Sequence, residues 1–289
     1  MTASDRMPVA AAGSAQPGGT GSAPGTPPPF LVTQAGAAQG TGIIVVPHPD
    51  MLPTTVWAGP VPGEGIDAGE VSDAADASWH CALLPEHSAG WFGRPGLSGH
   101  RLDGPDGAAP AGRDWSPRFR PVAVEHDDGR ARAVGEDEAA GLRVVTEAEA
   151  VPGGAIRCRH TLTNTGELPY VVDSLEVVFP LPGRAGETLD FTGRHARERV
   201  PQRRPIGDGL WLREGRRGKT GHDSATVLVA GVPGFTFGSG EVWGLHVAWS
   251  GNTVHRIERL RTGMSTIGGT VRPGRRVVPC PQERHRGAG

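Results

Sequence analysis

The sequence is short of the residues on which several classes of protein depend. Its three cysteines, Cys81, Cys158 and Cys280, are odd in number and far apart, which argues against a disulfide framework and for a reducing compartment. No stretch reaches the roughly 18 consecutive apolar residues that a bilayer crossing needs. Residues 1–30 also lack the continuous apolar centre of a signal peptide. We therefore predict a cytoplasmic protein without a membrane partner.

The chain also lacks an excess of positive or negative charge, since the net charge is only -2. So small a charge gives no overall attraction to nucleic acid. The arginine-rich segment before position 219 also lacks the interleaved aromatic side chains of proteins that bind single-stranded nucleic acid. Lys219 is the single lysine, and all other basic side chains are arginines. Such a surface suits bidentate carboxylate partners, although GC-rich coding would produce the same excess. No nucleic-acid partner is expected.

Recognisable catalytic motifs are absent too. A glycosidase needs two carboxylates about 5 to 9.5 Å apart, but the acids here cluster at turns or on polar strand faces, as in Asp127-Asp128. His80 and Cys81 are neighbours that would point to opposite faces of a strand, so they cannot easily share a metal ion. Ser224 lacks the flanking glycines of a nucleophile elbow. We nominate no catalytic residue, no metal ligand and no cofactor.

The chain is rich in residues that interrupt regular secondary structure, with 45 glycines and 27 prolines among 289 residues and no triplet period. Many short strands joined by turns fit this composition better than long helices do. We predict an all-β fold, namely one large antiparallel β-supersandwich over residues 30–275. Residues 1–29 have little to bury and are predicted to be a disordered tail, and 276–289 an unstructured basic tail.

Several stretches alternate with period two and are separated by turn signals. The Asp128-Gly129 pair predicts a hairpin, and three further strands are predicted to form an antiparallel meander with turns at 152–154 and 164–166. We expect these strands to bury one face each: Leu142, Val144, Thr146 and Ala148; Ile156, Cys158, His160 and Leu162; Val171, Leu175, Val177 and Phe179. A helical turn is indicated only within "GEVSDAADASWH".

The stretch "GEVWGLHVAWSGN" alternates most regularly. Trp243, Leu245, Val247 and Trp249 fall on one face of an extended strand. An exposed sugar-stacking platform would hardly include the two aliphatic residues, so we predict that all four side chains belong to the core.

One polar segment stands apart from the strands. The run "EGRRGKTGHDS", residues 214–224, combines glycines that permit close backbone approach with Arg217, His222 and Asp223. Their side chains offer donors suited to hydroxyls or carboxylates. A binding loop and a plain solvated basic loop fit this pattern equally well.

Five stretches together resemble one known family. They are "LLPEHSAGWFGRPGLSGH", "RDWSPRF", "TLTNTGELPYVVDSLEVVFPLP", "TGRHARERVPQRRPI" and "GRRGKTGHDSATVLVAGVPGFTFGSGEVWGLHVAWSGN". In order and wording they are similar to the N-terminal domain of glycoside hydrolase family 36, the bacterial α-galactosidases, and particularly to its actinobacterial branch. The resemblance covers roughly residues 40–269.

The resemblance implies a galactose mutarotase-like β-supersandwich that precedes a (β/α)8 barrel carrying two catalytic aspartates. The family hydrolyses terminal α-galactosides such as melibiose and raffinose without a metal. Its Lys-Trp-Asp-x-Asn nucleophile motif does not occur in this sequence, so a chain truncated before the barrel and inactive alone is expected. By position, Arg217, His222 and Asp223 become candidates for docking to the barrel or for the rim of its pocket, and a homo-oligomer is a possible assembly.

Two other functions stay open. A free-standing carbohydrate-binding β module would need exposed aromatic side chains, and the tryptophan-bearing loops between 57 and 115 are where they would occur. A mutarotase-like epimerase would need a histidine and a glutamate that converge in a sheet concavity, and the sequence shows no obvious pair.

Overall fold

The computed structural model describes residues 26–34, 40–63, 67–74, 80–103, 109–127, 129–224, 227–271 and 275–277. The regular secondary structure in these ranges is almost entirely antiparallel strand, so the predicted all-β class is confirmed. Helical structure there amounts to α1 (Ala68–Ala74) and one 3-10 turn (His87–Ala89). α1 overlaps the start of the segment in which the sequence indicates a helical turn, and 75–79 of that segment lie outside the described residues.

The tails predicted at the two ends lie largely outside the described residues, namely at 1–25 and 278–289. The last strand described, β19 (Arg275–Val277), crosses the domain boundary predicted at 275. It pairs with the start of a long central strand, Tyr170 opposite Val277. Strand structure therefore continues to Val277.

The strands form four sheets. The first sheet has four strands in chain order: β1 (Phe30–Thr33), β2 (Thr41–Val46), β3 (Thr54–Pro60) and β4 (Cys81–Ala82). The second sheet also follows chain order: β7 (Arg120–Asp127), β8 (Arg130–Asp137), β9 (Leu142–Val151) and β10 (Ala155–Asn164).

The central sheet has seven strands. Its order is β14 (Gly209–Gly215), β17 (Thr253–Arg259), β18 (Ser265–Val271), β11 (Tyr170–Leu181), β5 (Leu97–Asp103) and β6 (Ala109–Arg113), with β19 also paired to β11. The fourth sheet, here called the hairpin sheet, has the order β13 (Arg197–Pro205), β12 (Glu187–Arg194), β15 (Val227–Gly231) and β16 (Val242–His246).

The predicted hairpins of the second sheet are confirmed. Asp127 pairs with Arg130 across the first reversal, where Gly129 has a φ of +86°. Such a positive φ is easily adopted only by glycine. Strands β9 and β10 pair through the turn at 152–154. The faces predicted to point inwards on these two strands are the more buried ones.

The third strand of the predicted meander does not follow its neighbours. β11 leaves the second sheet and lies between β18 and β5 in the central sheet. The side chains predicted to be buried there, Val171, Leu175, Val177 and Phe179, are only half-buried, and the opposite face, with Val172, Ser174, Glu176 and Val178, is the buried one. The prediction was wrong because a strand covered on both faces shows no solvent face in its pattern.

The core divides among the interfaces between sheets. Leu142, Val144, Tyr170 and Val172 lie in a cluster between the second and central sheets. A second cluster joins the central sheet to the hairpin sheet through Leu181, Leu228, Ala230, Ile257 and Ile267. The second sheet and the hairpin sheet thus pack on the central sheet, whereas Phe30, Val32 and Ile43 of the first sheet cluster with Ala148 of the second.

β16 approaches the central sheet closely because β18 has glycine beneath it. A Cβ added at Gly269 would lie 2.4 Å from Cγ2 of Val247 and 3.2 Å from Cδ2 of Leu245. Trp243 packs on the same core, and its indole N–H donates to the Ala58 carbonyl at 3.1 Å. The predicted inward face is therefore confirmed for these three side chains.

Trp249 departs from that prediction. β16 ends at His246, and the Trp249 N–H donates to the Val247 carbonyl at 2.8 Å. This tight turn breaks the alternation, and 48% of Trp249 is exposed. The period-two pattern in the sequence runs past the end of the strand.

Candidate functional site

The polar segment singled out in the sequence bridges two sheets. Residues 216–224, here called the basic loop, follow β14 of the central sheet and precede β15 of the hairpin sheet. The Gly218 N–H donates to Oδ1 of Asn252 at 2.8 Å, and the Thr192 hydroxyl donates to the Asp223 carbonyl at 3.3 Å. A bridge between Gly221 and the buried Ser224 closes the end of the loop. The loop is therefore attached to the fold at several points along its length.

The three candidate residues of the basic loop share one exposed surface. The Arg217 guanidinium forms an ion pair with the Asp223 carboxylate at 3.4 Å, with side chains 75% and 50% exposed. His222 contacts a different partner: its Nδ1 lies 3.9 Å from Oε1 of Glu198 on β13. The structure thus brings Arg217 and Asp223 together and directs His222 towards the neighbouring hairpin.

That hairpin is formed by β12 and β13, and its tip consists of His195 and Ala196. Ala196 has a φ of +61°, which the tight reversal imposes on a non-glycine residue. The Ala196 N–H donates to Oε1 of Glu198 at 2.8 Å, which holds this carboxylate at the tip. The ring of His195 lies 6.5 Å from that of His222.

His195, Glu198 and His222 form a cluster in which the potential ligand atoms all lie within 4.8 Å of one another. The sequence analysis did not find this cluster. His222 comes from the basic loop, His195 from the hairpin tip and Glu198 from the start of β13, so no regular spacing in the sequence indicates the cluster. Only the packing of the loop against β12 brings the three side chains together.

The electrostatics around the basic loop are those of a solvated surface with local pairing. The hydrogen bond from Arg216 to Glu214, at 2.5 Å, raises the pKa of that guanidinium. Acid–base catalysis usually relies on groups whose pKa is shifted by burial, and the candidate residues are exposed. The arrangement suits contact with another surface better than proton transfer.

The most deeply buried charges lie elsewhere, on the other side of the central sheet. Arg256, 1% exposed, donates to Oε2 of Glu176 at 2.6 Å and to Oε2 of Glu258 at 2.9 Å. Arg94 completes the group with a 2.7 Å bond to Oε1 of Glu176. Paired in this way, the charges satisfy one another, and removal of one member would leave a buried charge uncompensated. Sequence reasoning did not find this network, because arginine and glutamate in a strand read as solvent-facing residues.

A buried glutamate and a half-buried histidine do occur, but both already form hydrogen bonds within the protein. Glu86 accepts a 2.7 Å hydrogen bond from the Phe119 N–H, and burial raises the pKa of its carboxyl to about 7. Burial lowers the pKa of His160 to about 4, and its Nε2 donates to the Leu83 carbonyl at 3.1 Å. The epimerase hypothesis required such a pair to meet in an open concavity, and these groups are held by the protein itself.

Fold and surface together define a class: a large antiparallel β-sandwich domain with a polar, sheet-bridging loop. The model of the glycosyl hydrolase family 36 N-terminal domain matches residues 58–273. The chain belongs to this family.

Known relatives agree with the family assignment. An α-galactosidase from Escherichia coli is 39% identical over 181 residues, which are 63% of this chain and 24% of that protein. The chain therefore spans about a quarter of the length of this curated relative.

Solved structures show the same fold at lower identity. The α-galactosidase from Lactobacillus brevis superposes with a TM-score of 0.71 at 17% identity, covering 87% of this chain and 37% of that one. The family 36 α-galactosidase AgaA from Geobacillus stearothermophilus gives a TM-score of 0.66 at 15% identity, covering 86% and 39%. Among the residues described in our structure, no helix has the length and apolar composition that a bilayer crossing requires.

Proposed function

We propose that this chain is the N-terminal β domain of a cytoplasmic α-galactosidase that acts on terminal α-galactosides such as melibiose and raffinose. The observation that carries the proposal is the family match over residues 58–273, supported by the 39% identity to the Escherichia coli α-galactosidase. One protein of the same fold, a doubly substituted variant of AgaA, has been solved in complex with raffinose.

In this proposal the domain supports catalysis without performing it. The described residues form antiparallel sheets, and no (β/α)8 barrel occurs among them. Hydrolysis then needs the barrel that the family resemblance implies, with its two catalytic aspartates. The chain alone is expected to be inactive.

We assign the basic loop to the contact with that barrel or to the rim of its pocket. Arg217, His222 and Asp223 are exposed, and several hydrogen bonds fix the backbone around them. A fixed loop with exposed donors and a carboxylate can pair with a polar surface without first being ordered, which lowers the entropic cost of binding.

A domain fusion tests this function. The chain is assayed with a chromogenic α-galactoside, first alone and then joined to the part of the Escherichia coli α-galactosidase that follows its matched region. We expect no turnover by the chain and measurable turnover by the fusion. Turnover by the chain alone, or a folded fusion without any activity, would contradict the proposal.

Variants of the fusion test the loop. Arg217→Ala and Asp223→Ala should lower kcat/KM or loosen the packing of the two domains, measured by limited proteolysis. Arg130→Ala is the matched control, since Arg130 is an exposed arginine that is also ion-paired but lies on the second sheet. Equal effects of all three substitutions would remove the loop from the contact.

A carbohydrate-binding module remains the second candidate because some aromatic side chains are exposed. Phe92 is 90% exposed and Trp115 64%, both within or next to the loops where this function would place them. Flat exposed aromatic rings are suited to stacking on sugars. Titration of the chain with raffinose, followed by tryptophan fluorescence, should give a saturable change only if this second function holds, and Trp115→Ala should abolish that change.

A further inference from the structure

We propose that His195, Glu198 and His222 bind a divalent transition-metal ion, with zinc as the best-fitting species, and that the ion fastens the basic loop to the tip of the β12–β13 hairpin. The proposal does not rest on the proposed hydrolytic function, although His222 belongs both to this site and to the surface assigned to barrel contact.

The ligand chemistry of the cluster fits zinc. Two imidazoles and one carboxylate are a ligand set that zinc accepts in tetrahedral sites, where a fourth position is left for water. Calcium and magnesium prefer oxygen ligands, so a site with two imidazoles selects against them. The single carboxylate leaves a net positive charge when the ion binds, and the nearby Arg217 is compensated by its own pair with Asp223.

The distances are close to those of a formed site. The potential ligand atoms lie within 4.8 Å of one another, and Nδ1 of His222 is 3.9 Å from Oε1 of Glu198. Bonds of about 2.0 to 2.1 Å in a tetrahedron place ligand atoms about 3.3 Å apart. Because all three side chains are exposed, small rotations about their χ angles can close this difference.

The backbones that carry the three ligands are already fixed relative to each other. The Ala196 N–H holds the Glu198 carboxylate at the hairpin tip. The hydroxyl of Thr192 on β12 holds the Asp223 carbonyl, next to His222. An ion therefore needs to order side chains only, and its binding would add a direct link between the loop and the hairpin.

Calorimetric titration of the untagged chain with zinc chloride tests the site. We expect one zinc ion per chain, and a loss of affinity of about tenfold or more on each of His195→Gln, Glu198→Gln and His222→Gln. Substitution of cobalt(II) should give the visible absorption of a tetrahedral ion in the wild type and lose it in the variants. Absence of stoichiometric binding would overturn the proposal.

Two control variants separate this site from other histidines. His100→Gln removes a partly exposed histidine that lies 3.9 Å from Asp173, and it should leave zinc affinity unchanged. His48→Gln removes one member of the other close histidine pair, His48 and His80, with rings 6.3 Å apart. Zinc binding that is lost with His48→Gln but kept with His222→Gln would refute the assignment.

Proteolysis reports the consequence for the loop. Trypsin cuts after arginine and lysine, and the loop offers Arg216, Arg217 and Lys219. Zinc should slow cleavage there in the wild type but not in His222→Gln. The variant also controls for any direct effect of zinc on trypsin, because such an effect would be the same for both proteins. Equal protection of both proteins would show that the ion does not fasten the loop.

Discussion

The carboxyl group of Glu86 couples the stability of the fold to pH. It is 7% exposed and accepts a hydrogen bond from Phe119, just before β7 begins. Burial disfavours the charged form and raises its pKa from 4.5 to about 7. Between these two values the unfolded chain has released this proton while the folded chain still holds it. The contribution of Glu86 therefore destabilises the fold progressively as the pH rises through this window.

Glu86→Gln should remove this dependence, because glutamine keeps an oxygen that can accept from Phe119 and has no proton to lose. Relative to the wild type, we expect the variant to gain on the order of 2 to 3 kcal/mol in free energy of unfolding between about pH 5 and about pH 7.5. Urea unfolding of both proteins at the two pH values measures the change. Glu125→Gln, at a 66% exposed side chain, is the control. A difference between wild type and Glu86→Gln that stays constant with pH would contradict the assignment.

At the level of strands, the close contact of β16 with β18 depends on the absence of a side chain at Gly269. Gly269→Ala places a methyl group 2.4 Å from Cγ2 of Val247, whose β-branched side chain has little freedom to move. We expect a loss of about 1 to 3 kcal/mol in free energy of unfolding, measured by urea denaturation.

A matched glycine is available on β16 itself. A Cβ at Gly244 would meet nothing within 4 Å, so Gly244→Ala should leave stability nearly unchanged. Adding Val247→Ala to Gly269→Ala should recover part of the loss, because it removes the clashing methyl group. No recovery in the double variant would mean that the cost arises in the backbone of β18 instead.

Element by element, the sequence predicts strands and turns better than it predicts their partners. The hairpins of the second sheet follow from period-two faces and glycine turns, which are local signals. The transfer of β11 to the central sheet is a long-range pairing, with Val177 opposite Gly269, and no local pattern specifies it. Trp249 was misplaced for a related reason, because an alternating sequence does not show where hydrogen bonding ends.

The sequence likewise indicates part of the candidate site but not the whole of it. Arg217, His222 and Asp223 could be selected from one glycine-rich segment, since they are neighbours in sequence. Their partners could not, because Glu198 and His195 reach the loop only through the fold of the hairpin sheet. The buried Arg256–Glu176 pair was missed because burial of a charge depends on what covers the strand, which lies far away in the chain.

For the molecule as a whole, one edge of the central sheet presents apolar side chains to solvent. Leu210 and Leu212 lie on one face of β14 and are 44% and 43% exposed. Their cross-strand partners are Glu258 and Arg256 of the buried network. Phe92, 90% exposed, lies on the segment that covers this network, since the backbone N–H two residues later, at position 94, donates to the Glu258 carboxylate. These three exposed apolar side chains, here called the rim, all adjoin the buried charge network through strand pairing or through the chain.

Clustered exposed apolar side chains mark a contact surface, and we predict that the rim is one. We expect the isolated chain to self-associate with rising concentration, and the double substitution Phe92→Ser with Leu212→Ser to weaken that association, as measured by sedimentation velocity. Val122→Ser is the control, because Val122 is 58% exposed but lies on the second sheet. If Val122→Ser weakens self-association as much as the double substitution does, the effect is a general one of exposed apolar surface. A wild-type chain that stays monomeric would contradict the prediction. If the rim instead serves contact with another domain, the active fusion should be monodisperse where the chain alone is not, because burial against that domain removes the same surface from water.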